Sequence, residues 1–168
     1  EACRTLCDYA AARGITTLVE NHGFFVNGSD RVIRLIEAVG SPSFRMVVDT
    51  GNFACMDEDC TAAVIKCLPY AAMIHLKDFY VRSADALPGI GGLFRCDSGC
   101  WFSSVSGISM LRGAILGQGD LDTKKIVRAI SASGYSGYVS VEFEGMEPPH
   151  IGSAAGLEAA RYFAEHTA

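Results

Sequence analysis

Four short β-forming runs alternate with helix-like segments along this chain, and that alternation restricts the fold more than any single motif does. Residues 15–20 (Ile15-Thr16-Thr17-Leu18-Val19-Glu20) are β-branched and short, and residues 44–49, 71–76 and 138–143 repeat the pattern. Between them lie helix patterns. Residues 2–13 are Ala-rich and stop at Gly14. Residues 30–39 can be capped by Ser29 or Asp30, carry Val32, Leu35, Ile36 and Val39 on one face, and stop at Gly40. Residues 58–68 end before Pro69, a helix opened by Asp122 or Thr123 runs to about 133 and stops at Gly134, and residues 151–166 are amphipathic. Strands alternating with helices of 10–15 residues make βαβ units and a parallel α/β sheet, and near-continuous apolar strands are those covered on both faces.

Four βα units are half of an eight-unit β/α barrel, which needs about 200–250 residues. A half barrel leaves open sheet edges. The 168 residues are therefore expected to be one domain over 1–168 that is a fragment, or that pairs with the missing half or with another copy. Glu1-Ala2-Cys3-Arg4 carries neither an initiator Met nor an apolar signal region, so the chain is expected to start inside a longer reading frame or to have been trimmed.

Each run ends in a ligand-type residue followed by turn residues: Glu20 before Asn21-His22-Gly23, Asp49 before Thr50-Gly51-Asn52, His75 before Leu76-Lys77-Asp78, and Glu142 before Phe143-Glu144-Gly145. In parallel sheets with helical crossovers, function gathers at the carboxyl ends of strands. Three carboxylates and one imidazole at four successive strand ends read as one divalent-cation site. The oxygen-rich set favours Mn²⁺, and admits Mg²⁺, Co²⁺ or Zn²⁺. The excess negative charge frees one Glu to act as a base beside a Lewis acid. Glu20 and Glu142, from the two ends of the set, could flank a carbon and exchange its proton, which is epimerisation or aldose–ketose isomerisation. His22, Asn52, Lys77 and Asp78 lie beside the ligands and could contact sugar hydroxyls or orient a ligand. Glu144, two beyond Glu142, could substitute for it.

The spacings from position 20 to 49 and from 49 to 75 are 29 and 26 residues, ordinary for one βα unit. The 67 from His75 to Glu142 is about 40 too long. The surplus falls in a Gly-rich stretch at about 79–120 holding Phe94, Trp101 and Phe102, and reads as a long inserted loop that forms a lid or pocket wall. Gly117-Gln118-Gly119-Asp120 lacks a third Gly and a preceding strand, so it is a loop re-entering a helix, not a dinucleotide fingerprint.

Composition closes off other classes. A net charge of −5 and no Lys/Arg cluster argue against nucleic acid as partner. No run of about 18 apolar residues exists, so no membrane span is expected. Seven cysteines, an odd number without a secretion signal, read as reduced and mostly buried thiols of a cytoplasmic protein. Cys96-Asp97-Ser98-Gly99-Cys100 could bind metal or form a disulfide but lacks a second pair, and Cys3 and Cys7 lie one helical turn apart, as on one packed face.

Taken together, Val19-Glu20-Asn21-His22-Gly23, Asp49-Thr50-Gly51-Asn52-Phe53, His75-Leu76-Lys77-Asp78-Phe79, Leu116-Gly117-Gln118-Gly119-Asp120 and Gly137-Tyr138-Val139-Ser140-Val141-Glu142-Phe143-Glu144-Gly145 resemble the sugar phosphate isomerase/epimerase family, the xylose-isomerase-like TIM barrels. The resemblance covers nearly the whole chain but only strands five to eight of that barrel. It implies that Glu20, Asp49, His75 and Glu142 bind one divalent metal and that the two Glu act in proton transfer. It implies a substrate contact at Asn52, a position some relatives fill with His. It implies a small sugar substrate and an isomerase of carbohydrate metabolism, with inosose dehydratase-like, hydroxypyruvate isomerase-like and inactive metal-binding fragments as alternatives. The branch that cuts DNA at abasic sites is richer in His than this chain, with its His22, His75, His150 and His166, and ranks last.

Overall fold

The computed structural model describes residues 1–86 and 101–166. Its elements are α1 (Ala2–Ala11), β1 (Thr17–Glu20), α2 (Ser29–Val39), β2 (Phe44–Asp49), α3 (Cys60–Cys67), β3 (Ala71–Leu76), β4 (Asp78–Ser83), β5 (Phe102–Ser103), β6 (Ser109–Ala114), α4 (Thr123–Ala132), β7 (Tyr138–Val141) and α5 (Pro149–His166). Four of the strands form a parallel sheet in the order β1-β2-β3-β7, and β4, β6 and β5 form a separate antiparallel sheet. The α/β half barrel expected from the alternation is present. Phe94, Cys96 and Cys100 lie outside the described residues.

Period two divides the parallel sheet into two faces. Val19, Phe44, Met46, Val48, Ile74, Leu76 and Val141 turn toward the helices and join Val32, Ile36, Val39, Val64, Ile126 and Ile130 in one core. Each fully buried side chain of this size contributes about 1.5–3 kcal/mol. The other face carries Leu18, Glu20, Val47, Asp49, Met73, His75, Ser140 and Glu142. Toward the amino ends of the strands it is uncovered: Leu18 is 37% exposed and Tyr138 84%. That is the appearance of half a barrel interior.

The caps explain small shifts in the helix ends. Asp59 and Asp122 accept from the backbone N–H of Ala62 (2.8 Å) and Lys125 (3.0 Å). At α2 neither Ser29 nor Asp30 caps. Gly28, at φ 84°, takes the N-cap, and the Glu58 carboxylate accepts from the Ser29 N–H instead (3.0 and 3.1 Å). Gly40, at φ 68°, ends α2 as expected. Among the described residues, no helix is long and apolar enough to cross a membrane.

The surplus at 79–120 is more structured at its ends than a loop. Strands β4 and β6 pair antiparallel from Asp78↔Ala114 to Ser83↔Ser109 and turn Phe79, Val81 and Leu111 into the core, where Phe102 of β5 joins them. The rings of Phe79 and Phe102 meet edge to face at 5.7 Å. Only Lys77 separates β4 from β3, so in the sequence the two strands read as one apolar run that simply ends.

Asp78 anchors this hairpin. Buried at 1% exposure, its carboxylate accepts from the N–H groups of Phe79 (2.8 Å), Gly117 (2.9 Å), Gly119 (3.0 Å) and Leu121 (3.3 Å). The Gly-Gln-Gly run is explained by the same contact. Gly117 has φ 81°, and a Cβ on Gly119 would collide with the Asp78 carboxylate. Removing the acceptor strands several buried amides at about 1–3 kcal/mol each. Asp78→Ala is therefore expected to lower the unfolding free energy by about 3 kcal/mol or more, read as a fall in the urea midpoint, with Asp78→Asn intermediate.

Candidate metal centre

The four strand-end residues meet because the strands are staggered. Glu20 pairs in register with Val47, so Asp49 lies two residues farther along β2. Asp49 pairs with His75, His75 pairs with Ser140, and Glu142 lies two residues farther along β7. The ligands thus climb four residues over three strand-to-strand steps, near the one residue per strand that an eight-stranded barrel of shear 8 requires. Strand tilt then brings them to one height. One ligand atom from each of Glu20, Asp49, His75 and Glu142 lies within 4.8 Å of all the others.

His75 Nδ1 is 3.1 Å from Glu142 Oε2 and 3.4 Å from Glu20 Oε1. Asp49 is fixed from both sides. Its Oδ1 accepts from the N–H groups of Gly51 (2.9 Å) and Asn52 (2.8 Å). Its backbone N–H donates to Asn21 Oδ1, and its carbonyl accepts from Asn21 Nδ2, both at 2.9 Å. Its second oxygen, Oδ2, is buried without a hydrogen-bond donor, and so is Glu20 Oε1. Buried carboxylate oxygens without donors are costly. Two of them facing one imidazole and a third carboxylate fit a divalent cation that takes oxygen donors and one nitrogen.

Lys77 holds this charge in place. Its Nζ lies 2.7 Å from Glu144 Oε2, 3.1 Å from Glu142 Oε1, 3.3 Å from Asn52 Oδ1 and 3.8 Å from Asp49 Oδ2, with 1% of the side chain exposed. Burial acts to lower the Lys77 pKa, but Asp49, Glu144 and Glu142 carry it above the ordinary lysine value. Burial pushes Asp49 well above the usual carboxylate range, against the pull of Lys77. Burial also acts upward on Glu142, but the Asp49 carboxyl and the Lys77 ammonium beside it outweigh that and hold it below its ordinary value. Of this pair, Asp49 takes the first proton and Glu142 stays ionised.

The structure gathers some of the expected substrate contacts and not others. Asn52 is buried, with Oδ1 on Lys77 and Nδ2 lacking an acceptor. Lys77 is buried, with its ammonium turned to Asp49, Glu142 and Glu144. Asp78 spends its carboxylate on the hairpin amides and turns none of it to the ligand cluster. His22 is exposed in the loop after β1, where its N–H donates to the Val26 carbonyl (2.8 Å). Glu144 stands outside the four-residue cluster, bound to Lys77. Asn21 is the residue that the sequence did not single out. It is one position past Glu20, where period two points it off the ligand face, and only the structure shows it clamping Asp49.

Residues 1–164 match the family described as xylose isomerase-like TIM barrel, and the chain belongs to that family. An inosose dehydratase from Geobacillus thermodenitrificans is 26% identical over 143 residues, 83% of this chain and 44% of the relative. A xylose isomerase-like TIM barrel protein from Mycobacterium smegmatis, solved in complex with magnesium, superposes with a TM-score of 0.71 at 18% identity, covering 98% of this chain and 49% of that one. A 3-keto-D-glucoside 4-epimerase from E. coli, in its apo form, gives 0.65 at 16% identity, covering 95% and 51%. The chain thus spans about half the length of the relatives it matches.

A cation bound at this candidate centre would compete with the proton on Asp49. Because the folded-state pKa of Asp49 is raised, the ion-free protein keeps this part of its stability below the ordinary carboxylate pKa and loses it as pH rises through the raised value. Mn²⁺ at about one hundred times its Kd should raise the unfolding free energy by about 2.7 kcal/mol. At a fixed Mn²⁺ concentration the increment should grow as pH rises through the same window, because the Kd falls as the proton leaves Asp49. Thermal melts with Mn²⁺ and with EDTA measure it, and Asp49→Asn should abolish the difference.

Proposed function

We propose that this chain carries the metal-binding, proton-transferring half of a divalent-metal-dependent isomerase or epimerase acting on a sugar or sugar derivative. The observation that carries this reading is the convergence of Glu20 and Glu142, from the two outer strands of the sheet, on one point shared with Asp49 and His75. Family membership and the E. coli epimerase of the same fold support it. Mn²⁺ is the proposed ion, with Mg²⁺, Co²⁺ or Zn²⁺ as alternatives that metal analysis separates. When bound, such an ion supplies a Lewis acid that polarises a sugar carbonyl and acidifies the C–H beside it.

The chain's own residues do the rest. Glu142, kept ionised by Lys77, takes the proton from the carbon next to the carbonyl. Glu20 delivers a proton to the opposite face of that carbon, which inverts it, and the reverse reaction exchanges their roles. Return of the proton to the neighbouring carbon instead exchanges aldose and ketose. Asn52, whose buried Nδ2 lacks an acceptor, and His22, on the loop after β1, are the proposed contacts to sugar hydroxyls. Lys77, expected to touch substrate, is proposed instead to orient Glu142. The missing half barrel or a second copy would supply the remaining wall. Among the described residues Cys3, Cys7, Cys55, Cys60 and Cys67 are free thiols, which suits a cytoplasmic protein.

The inosose dehydratase relative favours a second reading. The same proton removal, followed by departure of a hydroxyl from the next carbon with a proton from the second Glu, is a dehydration. The product distinguishes the two: a conjugated enone absorbs in the near ultraviolet, and an epimer does not.

The test is exchange of solvent deuterium into the α-carbon of a panel of ketoses, measured with Mn²⁺ on this chain and on a barrel completed by an amino-terminal half. Glu142→Gln and Glu20→Gln should each slow exchange by about 10²-fold or more. If both variants exchange at the wild-type rate, the two-base mechanism is wrong.

A further inference from the structure

We propose that Arg112, Tyr80 and Trp101, on the hairpin inserted between His75 and Glu142, form an oxyanion subsite that takes a carboxylate or phosphate group of the substrate. The inference deepens the reading above, since it makes the sugar an acidic or phosphorylated one.

The chain is acidic, with 19 Asp and Glu against 14 Lys and Arg, and its other placed cations in the hairpin and the metal centre have carboxylate partners. Lys77 has Glu142 and Glu144, and Arg82 has Asp120 at 2.6 Å. Arg112 has none: among the described residues, no carboxylate oxygen lies within ion-pair distance of it. Its Nε is shut off from water and has no acceptor, and its Nη1 reaches only the Met146 sulfur, at 3.9 Å. A half-buried guanidinium with a donor left over is a costly arrangement unless something fills it.

The group is also held still. Its carbon stands 4.7 Å from the centre of the Tyr80 ring and 5.4 Å from that of Trp101. Tyr80 faces Arg112 directly across the β4–β6 ladder. Aromatic faces fix a guanidinium in plane and leave its edge for bidentate contact with a planar carboxylate or a phosphate. Arg82 approaches the same indole at 6.0 Å, but its charge is already taken up by Asp120, so Arg112 is the group left for an anion.

The subsite is joined to the metal centre by the backbone. Gly113, next to Arg112, packs so closely on the Glu144 carbonyl that a Cβ there would overlap it, and Met146 is four residues past Glu142. A substrate with its carbonyl at the cluster and an anionic end at Arg112 would lie along residues 142–146.

Trp101 is the only tryptophan in the sequence and therefore reports on this spot by its own fluorescence. Inorganic phosphate, acetate and a neutral hexose are titrated separately, each against chloride at matched ionic strength. A saturable change with phosphate, acetate or both, and none with the hexose, is expected. Phosphate alone would indicate a phosphorylated substrate, and acetate alone an acid sugar. Arg112→Gln should weaken the response at least tenfold. Arg112→Lys, which keeps the charge and loses the fork, should weaken it less and serves if the first variant does not fold. Asp49→Asn should leave the response unchanged, so the subsite can stand even if the proposed isomerase chemistry fails. No response in the wild type, an equal response to chloride, or a response lost in Asp49→Asn and kept in both Arg112 variants overturns the proposal.

Discussion

Carboxylates gathered at one point inside a protein repel one another and forfeit hydration, and the architecture of this chain depends on how that cost is met. Lys77 meets part of it. Its ammonium is sealed among Asp49, Glu142 and Glu144, where a solvated charge would have screened them less directly. Breaking a buried pair on one side costs far more than the pair contributes, because the remaining charge has nowhere to go. Lys77 is therefore tied to the cluster as firmly as the ligands are to each other. The rest of the cost is left standing, as Asp49 Oδ2 and Glu20 Oε1 without donors. A cation is the partner that such a residue of charge calls for.

The centre and the fold share one geometric cause. A flat sheet would spread Glu20 and Glu142 over four residues of strand length. The stagger and tilt of barrel strands cancel that spread, so the four side chains converge only if the sheet curves as it would in a closed barrel. The described half already curves this way although β1 and β7 have no outer neighbours among the described residues. Its helix-covered face is packed through Val48, Ile74 and Leu76. The exposed amino-terminal part of the other face, with Leu18 and Tyr138, is where a further half would contribute burial rather than ligands.

Much of this was legible in the residues. Strand ends were marked by ligand-type side chains before Gly, Asn or Thr, and the helices by their caps and stops, because both signals are local. Three features were not. The antiparallel hairpin was hidden because Lys77 alone separates β3 from β4, and a change of sheet leaves no mark on an apolar run. The task of Asp78 was hidden because its acceptors are matched to Gly117 and Gly119, some 40 residues away. Cap choice at α2 failed for a similar reason, since Glu58 supplies from a distance what Ser29 or Asp30 would have supplied locally. Non-local hydrogen bonds of this kind have no period and no spacing rule.

The two oxygens of Asp49 stand in opposite environments. Oδ1 closes the turn at Gly51 and Asn52, while Asn21 fixes the backbone on either side, so the carboxyl cannot rotate away from the cluster. Oδ2 is thereby committed to a position in which it lacks any donor. A protein selected for stability alone would turn that oxygen to an amide or replace the residue with Asn. The local rules of turn and strand are thus all satisfied at Asp49 while the buried-polar rule is broken at a single atom, a cost to the fold that a cation at the candidate centre would offset.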